Sequence, residues 1–391
     1  MNVRGRRAPD VVMVLENSHY PLDARVRMEA ETLIESGLSV EVLAPREADR
    51  PVRETIRGVR VTRFPLPDGD GKLLGTAIEY LLACFVIAPL VLLRLARGRG
   101  GTLHVHNPPD LFFPLLWIAR LRGWSTVFDH HDDAAGMLHA KLGRATAAGS
   151  LLAWMRRRSA QVADLTVTTN DTQRKLVQAD ARHVVIVRNS PPIWFAEHRP
   201  SPPPPAGRSR LVFLGEIGVQ DRVRWTVDIL AALVSDRNVD AELLIVGDGP
   251  ERQAVQEHAQ ELGVAERVTI TGWVPFEEVP HLLASAHVGL DTAAATDVND
   301  GSTMVKIMEY LVVGLPVVAT ALRETRVTGA DAVLTVVEDS VEAYVTPIAD
   351  LLGSAKAWQE RADRARTRGE ELLWPAQGEK LVTAYRALNP R

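Results

Sequence analysis

The 391-residue chain holds a single cysteine, Cys84, which excludes intramolecular disulfides and cysteine-rich zinc sites and fits a reducing, cytoplasmic setting. Lysine is scarce too, six against 39 arginines, a mark of GC-rich coding that says nothing about mechanism. Neither sign of charge prevails: 45 basic and 49 acidic residues leave a net charge of −4. No overall field draws nucleic acid or anionic lipid, so any polyanion site must be local and a nucleic-acid partner is not expected. Short repeats, long low-complexity tracts and the G-x-G-x-x-G fingerprint are all missing. Long hydrophobic runs are missing as well. Val11–Leu15 is too short for a signal-peptide core. The apolar stretch Leu73–Leu95 is interrupted by Glu79 and Pro89, leaving 14 residues from Tyr80 to Leu93, where a spanning helix needs about 20. It reads as a buried or interfacial helix. Arg94, Arg97 and Arg99 at its end keep peripheral membrane contact through 73–95 open.

What is present is an ordinary globular composition, 46% apolar and 24% charged, in a length that suits two or three domains of roughly 150 residues. Apolar runs at Val11–Leu15, Val40–Leu43, Val59–Thr62, Leu103–His106, Thr126–Asp129, Leu165–Thr168 and Val184–Val187 predict strands. Helical segments separate them; the first, from about Asp23 to Glu35, places Val26, Ala30, Leu33 and Ile34 on one face. The run Arg199–Arg210, RPSPPPPAGRSR, predicts a semi-rigid linker over 199–209. The strand pattern then restarts at Leu211–Leu214, Leu243–Val246, Val268–Thr271, Val288–Leu290 and Val317–Ala319. These boundaries predict two α/β domains with mainly parallel sheets, 1–198 and 210–370. Ala355–Leu388 reads as helical except at Pro375, and its last part, 371–391, is expected to cross back to the first domain.

Four segments carry candidate chemistry. In Asn299–Tyr310, Met304, Met308, Leu311 and Val312 form an apolar helix face that Gly314 and Pro316 bring to an end. Gly301, Ser302 and Thr303 would offer backbone N–H groups and hydroxyls at the positive end of that helix, suited to a diphosphate. Lys306 would add a full charge, and Glu309 could accept hydrogen bonds from ribose hydroxyls; the plainer reading is a capped helix with a Lys306–Glu309 surface pair. Val246–Pro250 is a strand entering a turn in which Gly247 and Gly249 permit close backbone approach, to a ligand or to the chain itself. Phe128–Asp133 follows a buried strand and contains His130 and His131, while His104 and His106 end an earlier strand beside Asn107-Pro108-Pro109-Asp110. The carboxyl ends of strands are where open α/β sheets bind ligands. These histidines suit hydrogen bonding to a ligand, a structural role or a metal. Glu16–Glu29 is a polar loop running into a helix, where Asn17, Asp23 and Arg25 could touch substrate or Asp23 could cap the helix.

Taken together, these motifs resemble a family 4 glycosyltransferase of the GT-B fold, nearest to bacterial enzymes of polysaccharide or natural-product biosynthesis. The resemblance spans nearly the whole chain: the Pro21–Val26 helix start, Asn107–Asp110, Asp129–Asp132, Arg188-Asn189, Gly218–Asp221, Val246–Pro250, and Ser302–Met304 through Glu309-Tyr310. It implies two Rossmann-like domains with parallel sheets facing across a cleft, an acceptor-binding first domain and a nucleotide-sugar-binding second one. It implies a retaining transferase that needs no metal or other cofactor, with UDP favoured over GDP in the donor. The donor nucleotide would meet Gly215, Gly218, Arg222, Gly247, Asp248, Gly249, Val274, Ser302, Thr303, Met304, Val305, Lys306 and Glu309. Catalysis would fall to His131, Lys306 and Glu309. Acceptor and sugar would meet Asn17, Asp23, Arg25, His106, Asn107, His130, Asp132, Asp300 and Gly301.

The departures from the family pattern are local. A glutamate common eight residues before the ribose glutamate is Gly301 here, with Asp300 beside it. An Arg and a Lys that often grip the diphosphate are Glu216 and Asp221. The expected acceptor is a lipid-linked saccharide at the inner membrane face or a small natural product bearing a hydroxyl or thiol. The alternatives are a nucleotide-sugar-binding protein without turnover and a metal-dependent hydrolase built on His104, His106, His130 and His131.

Overall fold

The computed structural model describes residues 9–47, 49–66, 73–98, 100–204 and 207–388; Arg99 and part of the Pro-rich run, residues 205–206, lie outside these. The chain forms two compact units, Met1–Arg188 with Gln377–Arg391, and Asn189–Ala376.

The first unit is built on eight strands: β1 (Val11–Val14), β2 (Val40–Pro45), β3 (Arg53–Ile56), β4 (Val59–Phe64), β5 (Thr102–His106), β6 (Ser125–His130), β7 (Leu165–Thr168) and β8 (Val184–Ile186). Their order in the sheet is β3-β4-β2-β1-β5-β6-β7-β8, and only the β3–β4 hairpin is antiparallel. The central strands are near-continuous apolar runs because helices cover the sheet. β3 carries no such signal: Arg53, Glu54, Thr55 and Ile56 alternate between exposed and half-buried, so no apolar run announces it. The chain leaves β1 toward β2 and returns across to β5, which opens a switch point between β1 and β5.

The second unit has a fully parallel sheet of β9 (Ser209–Leu214), β10 (Ala241–Val246), β11 (Val268–Ile270), β12 (Val288–Asp291), β13 (Val317–Thr320) and β14 (Val333–Val336). The order is β11-β10-β9-β12-β13-β14, so the switch point lies between β9 and β12. Tyr310 spans that gap. Its hydroxyl accepts from the Leu214 N–H at 2.8 Å and donates to the Leu290 carbonyl at 3.2 Å, bonding both strands at once. Gly289 makes room for it, since a Cβ there would come within 2.7 Å of the Tyr310 ring.

The apolar segment folds as the helix Leu73–Arg97, which contains Pro89. Ala83, Ile87, Val91 and Leu95, each four residues apart, are buried against the first sheet, while Leu82, Phe85, Leu92 and Leu93 are exposed. Among the described residues no helix is long and apolar enough to cross a membrane. The C-terminal region is two helices, Ala355–Glu371 and Trp374–Leu388. The break precedes Pro375, which sits in the first turn of the last helix, where its missing N–H costs nothing.

Candidate active site

In the second unit the candidate residues gather at the carboxyl edge of β9, β10 and β12. The helix that supplies Lys306 and Glu309 runs Val305–Val313, so it starts at Val305 and not at Ser302. The amides expected to be free are engaged: the Gly301 and Ser302 N–H groups donate back into the short helix Asp297–Asp300, and the Ser302 hydroxyl donates to the Val298 carbonyl at 2.8 Å. Met304 is the N-cap and contributes no side-chain bond, so the unfilled amides of the first turn begin with Val305. From Lys306 to Val313 every residue is buried, not just one apolar face.

That burial removes the surface-pair reading. Lys306 Nζ lies 2.9 Å from Asp221 and 3.6 Å from Asp291, over the Phe213 ring at 4.1 Å and against Gly215. Asp221 thus engages the lysine directly. Asp291 ends β12 fully buried, and burial raises its pKa against the opposing pull of Lys306. Glu309 is 8% exposed and has neither an ion pair nor a hydrogen bond among the described residues. Burial pushes its pKa up to about 7 although Lys306 pulls it down. A carboxyl left without a partner beside a lysine, at a switch point, is a receptor for hydroxyl donors.

The neighbouring residues are more structural than expected. Arg222, in the left-handed region at φ 49°, donates to the Thr292 and Ala293 carbonyls and pairs with Asp339 at 2.6 Å. Gly247 has φ 143°, and a Cβ there would meet the Gly215 carbonyl oxygen at 2.0 Å; one at Gly249 would meet the Ile217 backbone at 2.6 Å. These glycines are required by the chain's own loop after β9. Gly218 is buried in that loop, and Asp248 bonds the Gly249 N–H and Arg252. Val274 packs half-buried in the core, two residues past the Gly247–Gly272 bridge. Asp300 is held by Arg323 at 2.9 Å. Thr303 precedes the Met304 cap.

In the first unit, polar side chains fill the switch point. Arg25, 6% exposed, donates to Asp129 at 2.8 Å, to the Val187 carbonyl at 2.9 Å, and pairs with Glu29 at 3.1 Å. Arg25 therefore binds the protein's own carboxylates. His106 is also committed: Nδ1 faces the Val14 carbonyl and Nε2 faces Glu29, both at 3.1 Å. A carbonyl only accepts, so Nδ1 carries a hydrogen, and one more proton lies along the Glu29–His106 contact. Burial raises the Glu29 pKa, which favours holding that proton. His104 stacks on His106 at 4.2 Å and its Nδ1 meets the Tyr385 hydroxyl at 2.8 Å. Burial, with His106 close by, keeps His104 neutral.

Asn107 organises the turn after β6. Its amide nitrogen donates to the Asp132 carbonyl at 2.7 Å and to His130 Nδ1 at 3.0 Å, and its oxygen accepts from the His131 N–H at 2.9 Å. Burial drives the His130 pKa down to about 3, so this ring is a neutral strut. His131 differs. Its Nδ1 lies 3.2 Å from Asp129, and although burial works against the charged ring, the Asp129 hydrogen bond raises its pKa. Its Nε2 points past Asp132, 4.0 Å away, whose carboxyl is half exposed. Asn17 is exposed after β1, and Asp23 caps the helix Ala24–Glu35 by accepting from Val26.

Glu29, His104, His106 and Asp129 place one ligand-type atom each within 4.8 Å of one another. Arg25 is bonded to both of these carboxylates. His130 Nδ1 accepts from Asn107 and His131 Nδ1 bonds the outer oxygen of Asp129, and neither ring joins this set of four. Sequence reasoning missed Asp291 and Tyr385. Glu29 had a signal in its i, i+4 spacing from Arg25; Tyr385, 281 positions from His104, had none.

The fold is GT-B, two α/β units on mainly parallel sheets. Residues 22–190 match the glycosyl transferase 4-like domain and residues 208–354 match glycosyl transferases group 1. The chain belongs to this family, the family 4 glycosyltransferases. It is 27% identical to a 2-deoxystreptamine N-acetyl-D-glucosaminyltransferase of Streptomyces fradiae over 72% of this chain and 69% of that one. It is 26% identical to a 2-deoxystreptamine glucosyltransferase of Streptomyces kanamyceticus over 67% and 70%. Among solved structures, sucrose-phosphate synthase from Thermosynechococcus elongatus aligns with TM-score 0.71 at 16% identity, covering 97% of this chain and 98% of that one. Anabaena HepE in complex with UDP and glucose aligns with TM-score 0.72 at 13% identity, covering 96% and 99%.

Proposed function

We propose that this glycosyltransferase moves a sugar from a nucleoside-diphosphate donor, UDP preferred over GDP, with retention of configuration and without a metal. The observation that carries the reading is Glu309, a buried carboxyl with no protein partner, one helical turn from Lys306 at the β9/β12 switch point. In this reading the ribose hydroxyls bond Glu309, and Lys306 with the first-turn amides offsets the diphosphate charge. The anomeric carbon–phosphate oxygen bond breaks as the acceptor oxygen or sulfur bonds the same carbon from the same face. The acceptor proton passes to the leaving phosphate. No enzyme nucleophile is needed, so the protein contributes position and charge. His131, kept protonated toward higher pH by Asp129, is the donor-side cation of the first unit.

The first unit takes the acceptor. The two Streptomyces relatives are named for 2-deoxystreptamine, which favours a small hydroxyl-bearing natural product. The exposed Phe85 and Leu82 of the Leu73–Arg97 helix favour instead a cytoplasmic protein touching the inner membrane face, with a lipid-linked saccharide. Flotation with vesicles separates the two, since an unbound protein counts against the lipid acceptor. A thermal-shift panel of nucleoside diphosphates tests the donor. UDP should raise Tm most, and Glu309→Ala should abolish the rise. A protein stabilised by UDP that consumes no UDP-sugar with any acceptor would be a binding protein; one indifferent to every nucleotide would end the proposal.

A further inference from the structure

A cavity rich in arginine lies in the first unit, at the amino-end edge of the sheet. It has a volume of about 350 Å³ and is lined by Arg53 and Arg60 of the β3–β4 hairpin, Glu41 of β2, and Arg94 and Arg97 of the Leu73–Arg97 helix. Arg60 is paired in register with Thr55 on one side and Glu41 on the other, so these side chains stand in one row across three strands. Glu41 and Arg60 lie near the amino ends of their parallel strands, at the edge of the sheet opposite His106 and Asp129.

The cavity's charges do not balance. Its two carboxylates are taken: Glu41 by Arg94 at 2.6 Å and the Thr62 hydroxyl at 2.8 Å, Glu54 by Arg63 at 2.5 Å. Burial alone would raise the Glu41 pKa, but Arg94 outweighs it and holds the group ionised, so this pair is a fixed neutral floor. Among the described residues no carboxylate lies within ion-pair distance of Arg53, Arg60 or Arg97. Three guanidiniums around one cavity repel one another unless an anion sits among them. Guanidinium forks match phosphate oxygens in pairs.

We propose that this cavity binds a phosphate-bearing ligand through Arg53, Arg60 and Arg97, braced by the Arg94–Glu41 pair. The phosphate has two sources. It comes from a free phosphate monoester, or from a phospholipid headgroup, because Leu93 lies one turn before Arg97 and is, with Phe85, exposed on the same helix. The site is independent of the donor reading above.

The test uses the full chain and an Arg60→Gln/Arg97→Gln double variant, both exposed or half-buried positions outside the proposed active site. Binding of inorganic phosphate and glycerol 1-phosphate is measured by calorimetry at constant ionic strength. Flotation is measured with phosphatidylglycerol vesicles and, as control, phosphatidylcholine vesicles. Loss of two charge-assisted contacts should weaken the ligand at least about tenfold while leaving UDP affinity unchanged. Soluble phosphate bound and lost in the variant identifies a free ester. Phosphatidylglycerol binding lost in the variant identifies the headgroup. Binding of neither, or binding undiminished in the variant, overturns the proposal. Should the double variant unfold, Arg53→Gln alone carries the same comparison.

Discussion

Both sheets open a gap where the chain reverses direction, and they fill it with opposite logic. Between β1 and β5, Arg25, Asp129, Glu29, His106 and His104 pack into one bonded cluster in which the buried His104 Nε2 has no hydrogen bond among the described residues, and His131 keeps its Nε2 toward the outside. Between β9 and β12, Lys306 is tied to Asp221 and Asp291, and Glu309 is left with nothing. The first gap is a polar interior cross-bonded within the protein. The second leaves one buried carboxyl without a partner among the described residues. A cross-bonded network fixes the position of a reacting group, whereas an unsatisfied carboxyl stores binding energy for a partner yet to arrive.

The largest effect that tests this contrast is on turnover. His131→Ala should lower kcat about 100-fold or more with little change in donor KM, while Glu309→Ala should raise donor KM and KD first. Equal effects on both parameters in both variants would erase the division of labour. Next in size is stability. Arg25→Met strands two buried carboxylates and should cost about 3–5 kcal/mol in urea unfolding. Lys306→Met should cost less than about 2 kcal/mol, because Asp291, its pKa already raised by burial, can take up a proton. A reversal of that order would mean that the second gap is the more tightly knit.

pH sharpens the comparison further. Glu309 titrates at about 7 in the fold, against 4.5 for the free side chain. Between those values the folded state holds the extra proton, so stability falls as pH rises through the window. Asp110 of the first unit, raised to about 7 by burial, adds a decline of the same sign. Glu309→Gln should therefore be more stable than wild type at pH 8 by about 2 kcal/mol, and adding Asp110→Asn should flatten the remaining slope further. Donor affinity in the wild type should rise over the same window as Glu309 ionises. The smallest effect is Tyr385→Phe, which removes one buried hydrogen bond to His104 and should cost about 1 kcal/mol by chemical denaturation.

Much of the fold was legible because buried parallel strands are plain apolar runs. β3 escaped because an edge hairpin needs no apolar face, and the Val305 start escaped because Gly301 and Ser302 spend their amides on a turn that spacing does not reveal. The site was legible at Glu309 and Lys306 as residue types, but not in their bonds. Asp221 read as a departure from the family pattern; that it takes hold of Lys306 follows only from packing. Gly247 and Gly249 read as ligand contacts, whereas backbone crowding against Gly215 and Ile217 already demands them. Arg25 and His106 read as substrate contacts because a sequence shows that a charged residue sits beside a site, not whether another residue has already neutralised it.

Tyr385 closes the network around His104 from a helix whose residues from Gln377 onward belong to the first unit, though 188 residues of the second unit are synthesised in between. The amino-terminal half therefore cannot reach its final interior as it leaves the ribosome. Its maturation waits for translation to pass the entire second unit, and a chain cut short before Tyr385 would harm the half that was made first.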